Sequence, residues 1–177
     1  MLAGALDRGS ILELVQGSPP LVDDYLDLND QLQPNGFDLT LKEVSRYATA
    51  GYMGRLPDQR IISQHEPLST DGELPIQLDP GAYLVTFNEV VNLPNHLMAL
   101  GRPRSSLLRC GVTVHTAVWD AGYHGRSQAM LVVHNPLGYR LTLGARIIQL
   151  VFLPLASPLR QGYQGAFQGE NLSVGED

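Results

Sequence analysis

The sequence predicts an all-β fold of the jelly-roll or barrel type, and two observations carry that expectation. Short apolar segments recur at near-regular spacing, each bounded by Gly, Pro or Asn, as strands joined by turns would be. The chain of 177 residues also holds 18 Gly and 12 Pro, which favours a fold with many turns. This length fits one compact core, so residues 1–177 are expected to form a single domain.

A short helix is expected from Asp7 to Gln16. Asp7 or Ser10 can cap it, Ile11, Leu14 and Val15 form its apolar face, and Gly17 ends it. Ser18-Pro19-Pro20 is a break, and the acidic run from Asp23 to Asp30 reads as a solvated loop. From Phe37 to Leu41 the apolar residues alternate with period two, which marks a strand. Ala48 to Gly81 is rich in Gly, Pro and polar residues and reads as loops and short edge strands. Further strands are expected at Tyr83 to Phe87, Val90-Val91, Leu97 to Leu100, Val112 to Trp119, Ala129 to His134, Tyr139 to Leu143 and Ile147 to Leu153. After Pro158 the chain is rich in Gly and Gln, and 159–177 reads as a mobile tail.

Charge is unevenly distributed. The whole chain is net −6, yet residues 101–160 carry seven arginines (Arg102, Arg104, Arg109, Arg126, Arg140, Arg146 and Arg160) against one acid, Asp120. The acidic balance argues against a general nucleic-acid binder, whereas a local basic pocket suits a small phosphate-bearing ligand. A lone carboxylate in such a region is either an ion-pair partner or a working group, and nearby guanidiniums would keep it charged at neutral pH. The single cysteine, Cys110, forms no intrachain disulfide and fits a reducing compartment, where it is expected as a buried structural thiol. The N-terminus has no signal-peptide pattern and no apolar run approaches the ~20 residues that span a bilayer. A cytoplasmic setting without membrane or nucleic-acid partners is therefore expected.

Four segments carry candidate chemistry. In Arg104-Ser105-Ser106-Leu107-Leu108-Arg109, two hydroxyls flanked by guanidiniums suit a triphosphate, and the alternative is a Ser-rich helix start with surface arginines. Trp119-Asp120-Ala121-Gly122-Tyr123-His124-Gly125 reads as a hairpin turn that presents Asp120 and Tyr123 together. The carboxylate suits a general base acting on water, and the ring suits packing on a sugar or closing the edge of the core. His115, His124 and His134 match no zinc spacing. In Gly144-Ala145-Arg146-Ile147-Ile148-Gln149-Leu150 a turn enters a strand carrying Arg146 and Gln149. In Gln33-Pro34-Asn35-Gly36-Phe37-Asp38-Leu39, Asp38 is placed either to reach a metal or to hold backbone.

Taken in order, these segments resemble the motifs of the dUTPase and dCTP deaminase superfamily over about Gln33 to Leu172, with Gly162 to Gly169 resembling its closing C-terminal segment. The branch most similar is the dUTPase typical of archaea. The resemblance implies a distorted jelly roll, a homotrimer with three active sites at subunit interfaces, and hydrolysis of dUTP to dUMP and pyrophosphate with Mg²⁺. Carried over by position, Asp120 would activate the attacking water, and Tyr123 would pack on the deoxyribose and exclude a 2′-hydroxyl. Arg104, Ser105, Ser106, Arg109 and Gln149 would hold phosphates or position the water. Asp38 would support the metal region, and the backbone from His115, Thr116 and Ala117 to Val118 would read the pyrimidine. Tyr163 would belong to the closing segment, in which Phe167 and Gln168 would cover the substrate from a neighbouring chain.

The deaminase branch has a glutamate on the strand after the third motif. Here Arg126 to His134 contains no acid, and glutamine cannot shuttle protons near neutral pH. The resemblance thus favours a diphosphatase. A deaminase is the alternative, and a non-catalytic nucleotide-binding module is a third. Against the third, a pure binder of triphosphate gains nothing from a carboxylate at Asp120.

Overall fold

A computed structural model describes residues 4–68 and 75–172. Among them, every strand pairing is antiparallel. The main sheet runs in the order Val112–His115, Gln128–Val133, Gly81–Phe87, Gly36–Tyr47, Arg146–Pro154, Leu97–Pro103 and Val118–Trp119. Leu32–Gln33 and His65–Pro67 add to Gly36–Tyr47. A second, three-stranded sheet holds Val22–Asp23, Val90–Asn92 and His124–Gly125. Two small ribbons pair Ile76–Leu78 with Tyr139–Leu141 and Tyr52–Met53 with Arg60–Ile61. The expected all-β jelly roll with a short N-terminal helix is the observed architecture.

The Gly36–Tyr47 strand organises the sheet. Its first half pairs with Arg146–Pro154, from Phe37 opposite Leu150 to Thr40 opposite Arg146. Its second half pairs with Gly81–Phe87, from Leu41 opposite Phe87 to Arg46 opposite Tyr83. A bulge between Leu41 and Glu43 accompanies the change of partner, and bulges of this kind bend and twist a sheet. Phe37, Leu39 and Leu41 are fully buried in one core with Val85, Phe87, Leu131, Ile147, Leu150 and Phe152.

The polar residues that alternate with them are buried as well. Asp38 and Thr40 are each 1% exposed. Buried polar groups need partners, and here they come from distant segments. The Glu89 side chain, wholly buried, accepts the Thr40 N–H at 2.8 Å, the Thr40 hydroxyl at 2.6 Å and Gln31 Nε2 at 2.7 Å. Gln31 Nε2 also donates to the Asp38 carbonyl at 2.9 Å, while its Oε1 accepts the Leu26 and Asp27 N–H groups. Burial pushes the Glu89 carboxyl above its ordinary range, against the opposing pull of these donors.

Several elements differ from expectation. The helix is Arg8–Val15, and Asp7 rather than Ser10 caps it, accepting the Ser10 N–H at 2.9 Å. The acidic Asp23–Asp30 region is partly ordered into structure. Val22–Asp23 joins a sheet, and Asp27 caps the single turn Leu28–Gln31, so short polar side chains create the turn they seemed only to solvate. The single strand expected from Val112 to Trp119 is two, because the chain changes partner at Thr116-Ala117. Cys110 is exposed, since it ends the surface turn Ser105–Arg109. No described helix is long and apolar enough to cross a membrane. Of the tail expected at 159–177, residues 173–177 lie outside the described residues.

Replacing Glu89 with Ala strands the Thr40 N–H and the Gln31 amide in the core. It is expected to lower stability by about 3 kcal/mol, read from urea midpoints. Because the folded carboxyl titrates above its ordinary value, its contribution is full below the ordinary carboxylate range and is lost as pH rises through the raised value. The gap between wild type and Glu89→Ala is therefore expected to narrow as pH rises above the ordinary carboxylate range.

Candidate active site

The turn after Val118–Trp119 is built on two anchors. Trp119 is buried, and its indole N–H donates to the Ser127 hydroxyl at 3.0 Å. Gly122 adopts φ +84°, and an added Cβ would meet Gly162 Cα at 2.5 Å, so the turn requires glycine both for its backbone and for close approach. The Tyr123 N–H closes the turn on the Asp120 carbonyl at 3.0 Å. Asp120 is left exposed, while Tyr123 is 5% exposed and points inward.

The two face a cavity of about 300 Å³, also lined by Ala117, Val118, Trp119, Ser127, Gln128, Tyr163, Phe167 and Glu170. The Asp120 carboxylate has no ion pair or hydrogen bond among the described residues. Gln128 is what the Gln128–Val133 strand presents here, with its Nε2 donating to the Thr86 hydroxyl at 3.0 Å. A second, largely apolar hollow of about 1040 Å³ shares Ala117, Gln128, Phe167 and Glu170 with the first. His115, Tyr52, Met53, Ile61, Ile62 and Met130 also line it. Thr116 sits between, its hydroxyl directed at the Gly101 carbonyl at 3.4 Å.

The closing segment lies on its own chain. Tyr163 N–H donates to the Ala121 carbonyl, Gly169 N–H to the His124 carbonyl and Arg126 N–H to the Glu170 carbonyl. Gln168 accepts the His124 N–H and donates to the Gly122 carbonyl. Gln168 and Phe167 thus lie against the Tyr123 turn within this chain. Glu170, which sequence reasoning missed, accepts the Tyr123 hydroxyl at 2.8 Å. Burial first, and then Glu170, push the Tyr123 hydroxyl well above the ordinary tyrosine range, and burial likewise raises the Glu170 carboxyl.

The arginines are not gathered round Asp120. Arg104 Nη1 lies 2.8 Å and Arg146 Nη1 3.6 Å from Asp38 Oδ2, and Arg126 pairs with Asp24 at 2.6 Å. The Asp38–Arg104 contact is an ion pair without aligned hydrogen-bond geometry at Oδ2. Burial raises the Asp38 carboxyl, with Arg104 and then Arg146 opposing. Gln149 sits opposite both Asp38 and Arg102 in the sheet. Ser105 and Ser106 are exposed at the start of the short helix Ser105–Arg109, which is the helix start that the sequence offered as one reading of the segment. Arg109 is exposed and bonds the Ser105 carbonyl, beside Cys110 and Arg140 in a separate open hollow.

These residues thus form two groups. Trp119 pairs with Ala99 in the antiparallel register, which sets Asp120 beside Met98, while Arg104 lies just past the far end of Leu97–Pro103. At 3.3–3.4 Å per residue the two are about 20 Å apart along the strand. No three His, Cys, Asp or Glu side chains gather into a metal cage among the described residues. A Mg²⁺ carried by substrate phosphates does not need such a cage, because it keeps several waters and takes only one or two carboxylates.

Fold and site together define a jelly-roll protein with an acid–aromatic cavity at one place and a cationic cluster at another. The family model described as dCTP deaminase-like matches residues 6–155, and the chain belongs to that family. It is 45% identical over 168 residues to a probable deoxyuridine 5′-triphosphate nucleotidohydrolase of Methanosarcina mazei, covering 95% of this chain and 98% of that protein. A protein of the same name from Archaeoglobus fulgidus is 46% identical over 167 residues, covering 94% and 97%. Among solved structures, the 2′-deoxycytidine 5′-triphosphate deaminase of Agrobacterium tumefaciens matches 84% of this chain with a TM-score of 0.63 and 25% identity. The chain spans about half of that deaminase, 48% of its length.

Proposed function

We infer that this chain is a dUTP diphosphatase, which hydrolyses dUTP to dUMP and pyrophosphate. The observation that carries this is the exposed Asp120 carboxylate, free of any described cation, in one cavity with Tyr123 and a neutral Gln128. The archaeal relatives named for dUTP hydrolysis support it over nearly the whole chain. A cytoplasmic enzyme of one domain fits the single cysteine and the continuous core.

In this proposal Asp120 takes a proton from a water in the cavity. The water oxygen bonds to the α-phosphorus, the bond to the bridging oxygen breaks, and pyrophosphate leaves. Such a reaction depends mainly on orientation and charge neutralisation. Tyr123 forms the wall on which the deoxyribose packs, where a 2′-hydroxyl has no room. Ala117 and the backbone around His115 and Thr116 lie where the pyrimidine is read. Arg104, Ser105, Ser106, Arg109 and Gln149 hold the phosphates. Mg²⁺ carried by the triphosphate offsets charge on the leaving group. Asp38 fits a positioning role better than direct ligation, since Arg104 and Arg146 already face its carboxyl.

The base and the phosphorus must lie within a few ångström at reaction. A separation of about 20 Å along one strand does not allow that within a chain. We therefore propose that Asp120 of one subunit meets the Arg104 group of another in a homotrimer. The exposed apolar side chains of Tyr52, Met53, Ile61 and Ile62 are surface that such an assembly can cover.

Two outcomes are expected. Asp120→Asn is expected to cut pyrophosphate release from dUTP by about 10³-fold or more while dUTP still binds, since general-base and orientation effects are lost together. Failure of the wild-type protein to release pyrophosphate would sink the assignment. Separately, inactive Asp120→Asn and inactive Arg104→Gln proteins, co-refolded in equal amounts, are expected to recover about a quarter of wild-type activity by random pairing at interfaces. No recovery would place the whole site within one chain.

A further inference from the structure

The carboxyl of Glu170 is the feature of the cavity that neither the motifs nor the proposed chemistry uses. It is brought there by a segment without secondary structure, yet its placement is closely determined. On one side, its backbone carbonyl accepts the Arg126 N–H at 2.9 Å, and the next residue, Asn171, donates from Nδ2 to the Arg126 carbonyl at 2.8 Å. On the other, its Oε1 accepts the Tyr123 hydroxyl at 2.8 Å. Gly125 makes room for this bond, because a Cβ there would meet the Tyr123 oxygen at 2.8 Å and the Glu170 N at 3.2 Å. Tyr163 from the same segment packs edge-on to Tyr123, with ring centroids 5.9 Å apart. Glu170 and Phe167 line both cavities, with Ala117 and Gln128, and are the closing segment's share of the wall between the Asp120 side and the larger apolar side.

We propose that Glu170 is a positioning residue: by accepting the Tyr123 hydroxyl it fixes that ring as the sugar-facing wall of the Asp120 cavity and latches residues 159–172 over the cavity. The proposal rests on the diphosphatase assignment for its consequence, sugar selection, but not for the latch itself. A carboxylate is suited to the task. It accepts a phenol hydroxyl in a charge-assisted bond, stronger than a neutral one. It also puts no donor against the phenol. Held to Tyr123, it leaves the activation of water to Asp120.

The test compares Glu170→Ala, Glu170→Gln, Tyr123→Phe and the double variant Glu170→Ala/Tyr123→Phe. The first readout needs no activity. Trypsin cleavage after Arg160, which is exposed at the start of the segment, reports its release. Glu170→Ala is expected to speed this cleavage about tenfold, and Glu170→Gln, which keeps an acceptor oxygen but not the charge, to fall between Glu170→Ala and wild type. The second readout is the ratio of kcat/KM for dUTP over UTP. Glu170→Ala and Tyr123→Phe are each expected to reduce it about tenfold, and the double variant no further, because both remove one bond. Unchanged cleavage in Glu170→Ala, or losses of selectivity that multiply in the double variant, would overturn the proposal. Ammonium release from dCTP that vanishes in Glu170→Ala would also overturn it, by making Glu170 a proton shuttle. If wild type fails on dUTP, the assignment of function fails while the cleavage comparison still decides the latch.

Discussion

The structure depends on one constraint: the first half of the Gly36–Tyr47 strand, as far as Leu41, is buried on both faces. An apolar face of Phe37, Leu39 and Leu41 is satisfied by packing alone. The opposite face carries Asp38 and Thr40, which cannot be left without partners in the interior. Thr40 is met by Glu89, the Asp38 backbone by Gln31, and the Asp38 carboxyl by Arg104 and Arg146. Four separated stretches of chain are therefore fixed against one strand by polar contacts of defined geometry. A hydrophobic face could tolerate some sliding, but this one sets where Arg104 and the hydroxyls of Ser105 and Ser106 stand.

The charge imbalance of the sequence takes on a different meaning in this frame. The cationic stretch does not surround its one acid. Arg104 and Arg146 answer Asp38, Arg126 answers Asp24, and Asp120 stands at the other end of the Leu97–Pro103 strand. In the proposed reaction, Asp120 held away from cations within its own chain and a cationic cluster held away from Asp120 would be two halves of a site shared between subunits. Neither half is strained by like or opposite charges from the other before substrate arrives. The single chain can then fold without the repulsion that seven clustered arginines would otherwise produce.

Much of this was legible in the sequence because it is local. Period-two alternation located the strand from Phe37, and short apolar segments bounded by turn residues located those from Tyr83 and Ile147. Motif order, with Asp120 and Tyr123 in one glycine-bearing turn, located the cavity. Long-range pairing was not legible. Nothing near Arg126 points to Asp24, 102 residues away, and the alternation at Asp38 and Thr40 looks the same whether its polar face meets water or other buried groups. The break at Thr116-Ala117 was hidden because a run of strand-forming residues without Gly or Pro is compatible with one strand or two. The Glu170 latch was hidden for another reason. A Gly- and Gln-rich segment has no periodicity, and its order comes from backbone hydrogen bonds to a turn some 45 residues earlier.

The central claim is that this cavity, with Asp120 and without an acid on the Gln128–Val133 strand, performs phosphoryl chemistry rather than removal of an amino group. Pyrophosphate and ammonium measured side by side, with dUTP and dCTP each supplied with Mg²⁺, test it most directly. Pyrophosphate equimolar with dUMP from dUTP, and no ammonium from dCTP, is the predicted result. Ammonium from dCTP, or dUTP left intact, would contradict it.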